Sequence, residues 1–144
     1  MNLNLMIVIS TSLLLILLAS IHIYWAFGGL WPGKNKQDLI NKVFGRGNHF
    51  PSPFSCFVVA IGLFLFSCLP ILWLVRSNFG LNPQSINMIR YGKIFVAIVF
   101  LLRGLLGYLP WVTKYWVPIF VFYTKRIYNP ISLLIGISFL IMNV

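Results

Sequence analysis

Residues 3–27 run without one Asp, Glu, Lys or Arg, and this stretch limits the chain more than any other feature. A helix needs about 20 mostly apolar residues to cross ~30 Å of hydrocarbon, and this run has the length. Three further apolar runs follow at about 54–75, 89–108 and 129–144. The last reaches only ~23 Å at ~1.5 Å per residue. It must borrow length from 124–128, with Lys125 and Arg126 snorkelling to the surface, or sit in a thinned bilayer. The expected fold is all-α: one membrane domain over 1–144, an integral membrane bundle of four transmembrane helices. A soluble fold of 144 residues cannot hide a chain that is 60% hydrophobic and 8% charged. The first run has no basic segment before it and is too long for a signal-peptide core, so a retained span is expected.

The connections are unequal. The first, 28–53, is long, and the second, 76–88, is short and polar. The third holds YWVPIFVFY at 115–123, which Pro118 breaks and which is too short to span. An interfacial or re-entrant segment is expected there.

The net charge of +10 sets eleven Lys and Arg against a single acid, Asp38. In a soluble protein that excess would suggest nucleic acid. Here the bases lie between apolar runs, so the expected partners are membrane lipids with anionic headgroups, and not nucleic acid. Four spans put both termini on the side of the second loop. The first and third loops carry Lys34, Lys36, Lys42, Arg46, Lys114, Lys125 and Arg126; the second and its edges carry Arg76, Arg90 and Lys93. The bias predicts cytoplasmic first and third loops, with both termini outside. On that same face, Ser52 and Pro53 read as N-cap and N1 of the second helix, and Asn129 and Pro130 as N-cap and N1 of the fourth. Helix N-termini add to a field that suits an anion.

Arg103 is the residue most out of place, because a charge inside a span is costly. It has three readings: a snorkelling side chain, a bundle-facing one bound to carbonyls or Asp38, or a ligand contact. Gly107 lies four residues on, on the same helical face, and leaves room beside it. His22 falls at similar depth in the same half, in a layer with Tyr24, Trp25 and Tyr108. It reads as a buried imidazole satisfied by a neighbour, as an acid/base or ligand contact, or as a metal ligand. For metal, only His49 could join it, with no Cys or acid at ligand spacing, so no metal and no cofactor are expected. Tyr24, Trp25, Trp31, Trp111, Tyr115 and Trp116 also fit an interfacial aromatic belt. Gly28 and Gly29 suit a helix stop. Ser132 and Gly136 form a small-xxx-small contact for another helix. Cys56 and Cys68 stand about 18 Å apart on one helix and cannot pair. The chain has no CxxC, no paired carboxylates, no acid in a span, no Ser-His-Asp set and no phosphate-binding loop.

HIYWAFGG at 22–29, LLRGLLGY at 101–108 and RIYNPISLLIG at 126–136 resemble, in order and spacing, the small four-span bacterial membrane proteins catalogued as domain of unknown function 3995. The resemblance covers nearly the whole chain. It implies a four-helix fold in the bacterial cytoplasmic (inner) membrane and carries no known activity. The family tends to place an acid just before its Y-x-P element. Here the stretch reads YTKRIYNP, so the ion pair that pattern suggests does not carry over.

Three functional readings remain at this level. The first is binding of a lipid or amphipathic small molecule with an anionic or polar head near the face of the first and third loops. Arg103 and His22 would meet the head, and Tyr24, Trp25 and Tyr108 the apolar part. The second is a structural or assembly subunit that meets a partner helix through Ser132 and Gly136. The third is a membrane enzyme acting on a lipid, with His22 as acid/base.

Overall fold

A computed structural model describes residues 2–76 and 78–142. The described residues are helical with no strand: α1 (Leu3–Ala26), α2 (Lys36–Val43), α3 (Pro53–Val75), α4 (Pro83–Leu106), α5 (Pro110–Thr113), α6 (Pro118–Tyr123) and α7 (Asn129–Ile141). A π-helical turn, Thr124–Tyr128, joins α6 to α7. Two helices, α1 and α3, are long and apolar enough to cross a membrane. Only 28% of the apolar window of each is buried inside the molecule. Leu13 and Leu17 on α1, and Phe54, Ile61 and Leu65 on α3, are exposed on their outer faces. Exposed apolar surface of this extent marks a face that meets a membrane or another protein.

Each boundary has a local cause. Ser52 caps α3 by accepting from the Ser55 N–H at 3.2 Å, with Pro53 in the first turn, as its sequence predicts. At the end of α1, Gly28 takes φ +86°, the left-handed conformation a glycine adopts without strain. The Gly28 N–H donates to Trp25 O at 3.0 Å and the Gly29 N–H to Tyr24 O at 2.9 Å, the paired bonds of a Schellman stop. The third long helix starts earlier than its apolar core does. Asn82 caps it through a 2.8 Å bond from the Ser85 N–H, which adds the polar turn from Pro83.

Asn129 is not the cap its sequence suggests. The chain turns helically from Pro118 through the π-turn to Ile141, and the Asn129 N–H is already bonded to Thr124 O. The helix therefore has no free end at Asn129 for its side chain to cap. Pro130 fits inside the helix because the π-turn has already shifted the hydrogen-bond register. The segment 115–123 consequently ends in α6, which leads straight into α7.

Helix α1 packs along α3, α4 packs along α7, and the pairs meet through α3–α4 and α1–α7 contacts. Leu15, Val96, Ala97, Ile135 and Phe139 form the buried centre. The Ser12 hydroxyl donates to Ser67 O at 2.9 Å across the α1–α3 seam. The small-residue face of α7 lies on α4: a Cβ at Gly136 would stand 2.7 Å from Leu101 Cγ and 3.1 Å from Ala97 O. At the far end, Lys93 is the largest fully buried side chain. Its ammonium donates to Met142 O at 3.0 Å and lies 3.8 Å from the centre of the Trp73 ring, tying α3, α4 and α7 together.

Candidate functional site

The long first connection folds back over one end of these helices. Leu39 and Ile40 of α2 are buried, and α2 packs against α6. The Tyr128 hydroxyl donates to Lys42 O at 2.9 Å, and the Val117 N–H to Gly45 O at 2.8 Å. Gly45 takes φ +74°, and a Cβ there would stand 2.1 Å from the Phe120 ring, so the approach requires glycine. Beneath this strap opens a cleft of about 750 Å3. Its wall is aromatic and aliphatic, with Phe44, Phe50, Trp116, Phe120, Leu106 and Val112. Its polar side chains are Arg46, His49 and Arg103.

Arg103 reaches this cleft because Arg103, Leu106 and Gly107 share one face of α4, three and four residues apart. Its position in the last turn also suits a cation, since the helix dipole is negative there. Among the described residues its guanidinium has no ion-pair partner. The chain's one carboxylate is taken. Asp38 accepts from Lys42 Nζ at 2.8 Å and from the Lys34 N–H at 2.8 Å. The hydrogen bond from Lys42, then that from Lys34, holds its carboxyl below the usual range. Among the described residues no acid offsets the positive charge of the cleft.

The other residues expected at the site divide. His22 does not line the cleft. Its Nδ1–H donates to Leu18 O at 2.8 Å within α1, and its ring meets Trp25 edge-on at 5.0 Å. Trp25 approaches the cleft indirectly, through an edge contact with Phe50 at 6.0 Å. Its indole N–H donates to Trp31 O at 2.7 Å. The Tyr24 hydroxyl accepts from the Trp31 N–H at 3.5 Å, and its ring covers Gly29. The H-x-Y-W-x-x-G-G motif is therefore a latch that turns the chain out of α1 and seats the first connection. Tyr108 lies beside the same end and donates to Lys125 O at 3.1 Å. The sequence marks Arg46 as a first-loop base and His49 as a possible partner of His22, but does not bring them, or Phe50, to Arg103. The FGRGNHFP stretch that carries them held a signal: a basic and aromatic cluster set off by glycines.

Among the described residues, two buried polar side chains of the π-turn and its end lack partners. The Asn129 carboxamide is fully buried, and neither its oxygen nor its nitrogen has a hydrogen bond. The Thr124 hydroxyl, at the other end of the same π-turn, is likewise buried and unpaired. Buried polar groups are rarely left so.

These features define an all-helical protein with two helices long and apolar enough to cross a membrane and a basic, aromatic cleft at one end. It belongs to the family described as protein of unknown function (DUF3995), whose model matches residues 15–139. Neither a curated relative nor a solved structure matches the chain.

Proposed function

We propose that this is a four-span protein of the bacterial inner membrane that holds an anionic amphiphile, a lipid or lipid-like molecule, in the Arg103 cleft. The first and third connections face the cytoplasm and both termini lie outside. The observation that carries this reading is the cleft's composition. Arg46, His49 and Arg103 line an otherwise apolar wall, and the chain's one acid is engaged by Lys42 and Lys34. An anionic head would supply the missing countercharge, and the rings would cover the first methylenes of its chains. Tyr24 and Trp25 then act by seating the first connection, His22 is satisfied within α1, and Tyr108 holds the third connection. Their contacts run to Leu18, Trp31, Phe50 and Lys125.

The test compares retained lipid. Purified in mild detergent from a mixed bilayer and weighed intact by native mass spectrometry, the protein should carry anionic lipid in preference to phosphatidylcholine. Arg103→Leu should lose that preference while keeping its helical content. A folded Arg103→Leu that retains the same lipid as the parent would contradict the reading.

A further inference from the structure

The unpaired carboxamide of Asn129 sits against the wall of the cleft. Gly107 belongs to both places. It lines the cleft, and the space its missing side chain leaves is filled by Asn129: a Cβ on Gly107 would stand 2.3 Å from Asn129 Oδ1 and 2.6 Å from Nδ2. Gly107 thus touches the carboxamide and the cleft alike. Among the described residues the carboxamide has no hydrogen bond to lose by turning toward a ligand. It lies at the end of a π-turn, a distortion frequent at functional sites, and the Thr124 hydroxyl at the turn's start is unpaired too.

A carboxamide offers both a donor and an acceptor. Its N–H groups can join Arg103 on an anion, whereas its oxygen needs a hydrogen-bond donor. Arg103 and Arg46 argue against an ammonium as that donor, because no acid lines the cleft to balance it. A neutral hydroxyl meets no such repulsion. Resting on the anionic-amphiphile reading above, we infer that Asn129 is a specificity residue for a lipid whose phosphodiester head carries a hydroxyl, as a phosphoglycerol head does. Arg103 takes the phosphate, and Asn129, turned past Gly107, takes the hydroxyl.

The test uses two lipids of equal charge, phosphatidylglycerol and phosphatidylethanol, which differ in whether the head bears hydroxyls. The full-length protein in detergent is titrated with each, and bound lipid is counted by native mass spectrometry. The parent should prefer phosphatidylglycerol by about tenfold, the factor one hydrogen bond supplies. Asn129→Leu should bind the two equally, at the parent's phosphatidylethanol affinity. Gly107→Ala, whose added Cβ would collide with the carboxamide and displace it, should also reduce the preference. Soluble glycerol phosphate should displace neither lipid at equal concentration.

Equal binding of both lipids by the parent would overturn the role of Asn129 and leave the anionic-amphiphile reading standing. So would a preference that survives in Asn129→Leu. Displacement by soluble glycerol phosphate would overturn the lipid. If the parent binds no anionic lipid at all, both readings fail. Equal binding by the parent decides against Asn129 even if neither variant folds.

Discussion

The ring of Tyr24 lies where a side chain on Gly29 would have to go: a Cβ there would stand 2.2 Å from the Tyr24 ring. The contact closes the Schellman stop of α1 and starts the first connection on its path back over the cleft. Gly29→Ala must push the ring aside and weaken the hydroxyl's bond with the Trp31 N–H. Overpacking of this kind costs about 1–3 kcal/mol. The expected readouts are a lower unfolding midpoint in detergent and a shifted tryptophan emission, since Trp25 is tied to Trp31 in the same latch. An unchanged midpoint and spectrum would show that the latch carries no strain-sensitive packing.

Lys93 is a buried cation whose nearest partners are a carbonyl and an indole ring. Replacing a buried charge with an apolar chain of similar volume is often neutral or stabilising, whereas leaving a hole is not. Lys93→Met should therefore unfold at or above the parent's midpoint. Lys93→Ala should lose about 2–4 kcal/mol through the cavity it leaves between α3, α4 and α7. Equal loss in both variants would mean that the ammonium itself holds the helices together.

Asp38 gives the first connection a pH dependence of known sign. Its folded pKa lies below the ordinary carboxylate value of about 3.9. Its contribution is therefore complete above that value and disappears as the pH falls through the folded one. Amide exchange in α2 should be flat from neutral pH to about 4.5, after correction for intrinsic rates, and accelerate below it. Asp38→Asn should abolish the acceleration. Exchange in α2 that rises between pH 7 and 5 would assign the transition to some other group.

The apolar course of α1 and α3 was legible because both runs are continuous and long enough to cross a membrane. So were the ends marked by Ser52–Pro53 and Gly28–Gly29, where one residue type suffices to set the geometry. The two Asn-Pro pairs show the limit. Asn82–Pro83 caps a helix, while Asn129–Pro130 continues one, because the chain before Asn129 is already helical. Local sequence cannot distinguish them; the difference lies in the π-turn. The burial of Lys93 was hidden among neighbouring bases. The cleft was half legible. Arg103 announced itself by its cost in an apolar run. Its companions Arg46 and His49 arrive from the first connection through long-range bonds, Tyr128 to Lys42 and Val117 to Gly45. His22 shares depth with Arg103 along the sequence, but α1 packs chiefly on α3 and α4 on α7.

Binding of an anionic amphiphile at Arg103 is tested most sharply by titrating the parent and Arg103→Leu with an anionic and a zwitterionic lipid of the same chains. The parent should favour the anionic lipid, and Arg103→Leu should lower its affinity for that lipid about 10- to 100-fold, the worth of a charge-assisted hydrogen bond, with zwitterionic binding unchanged. Equal loss for both lipids, or no loss for either, would contradict it.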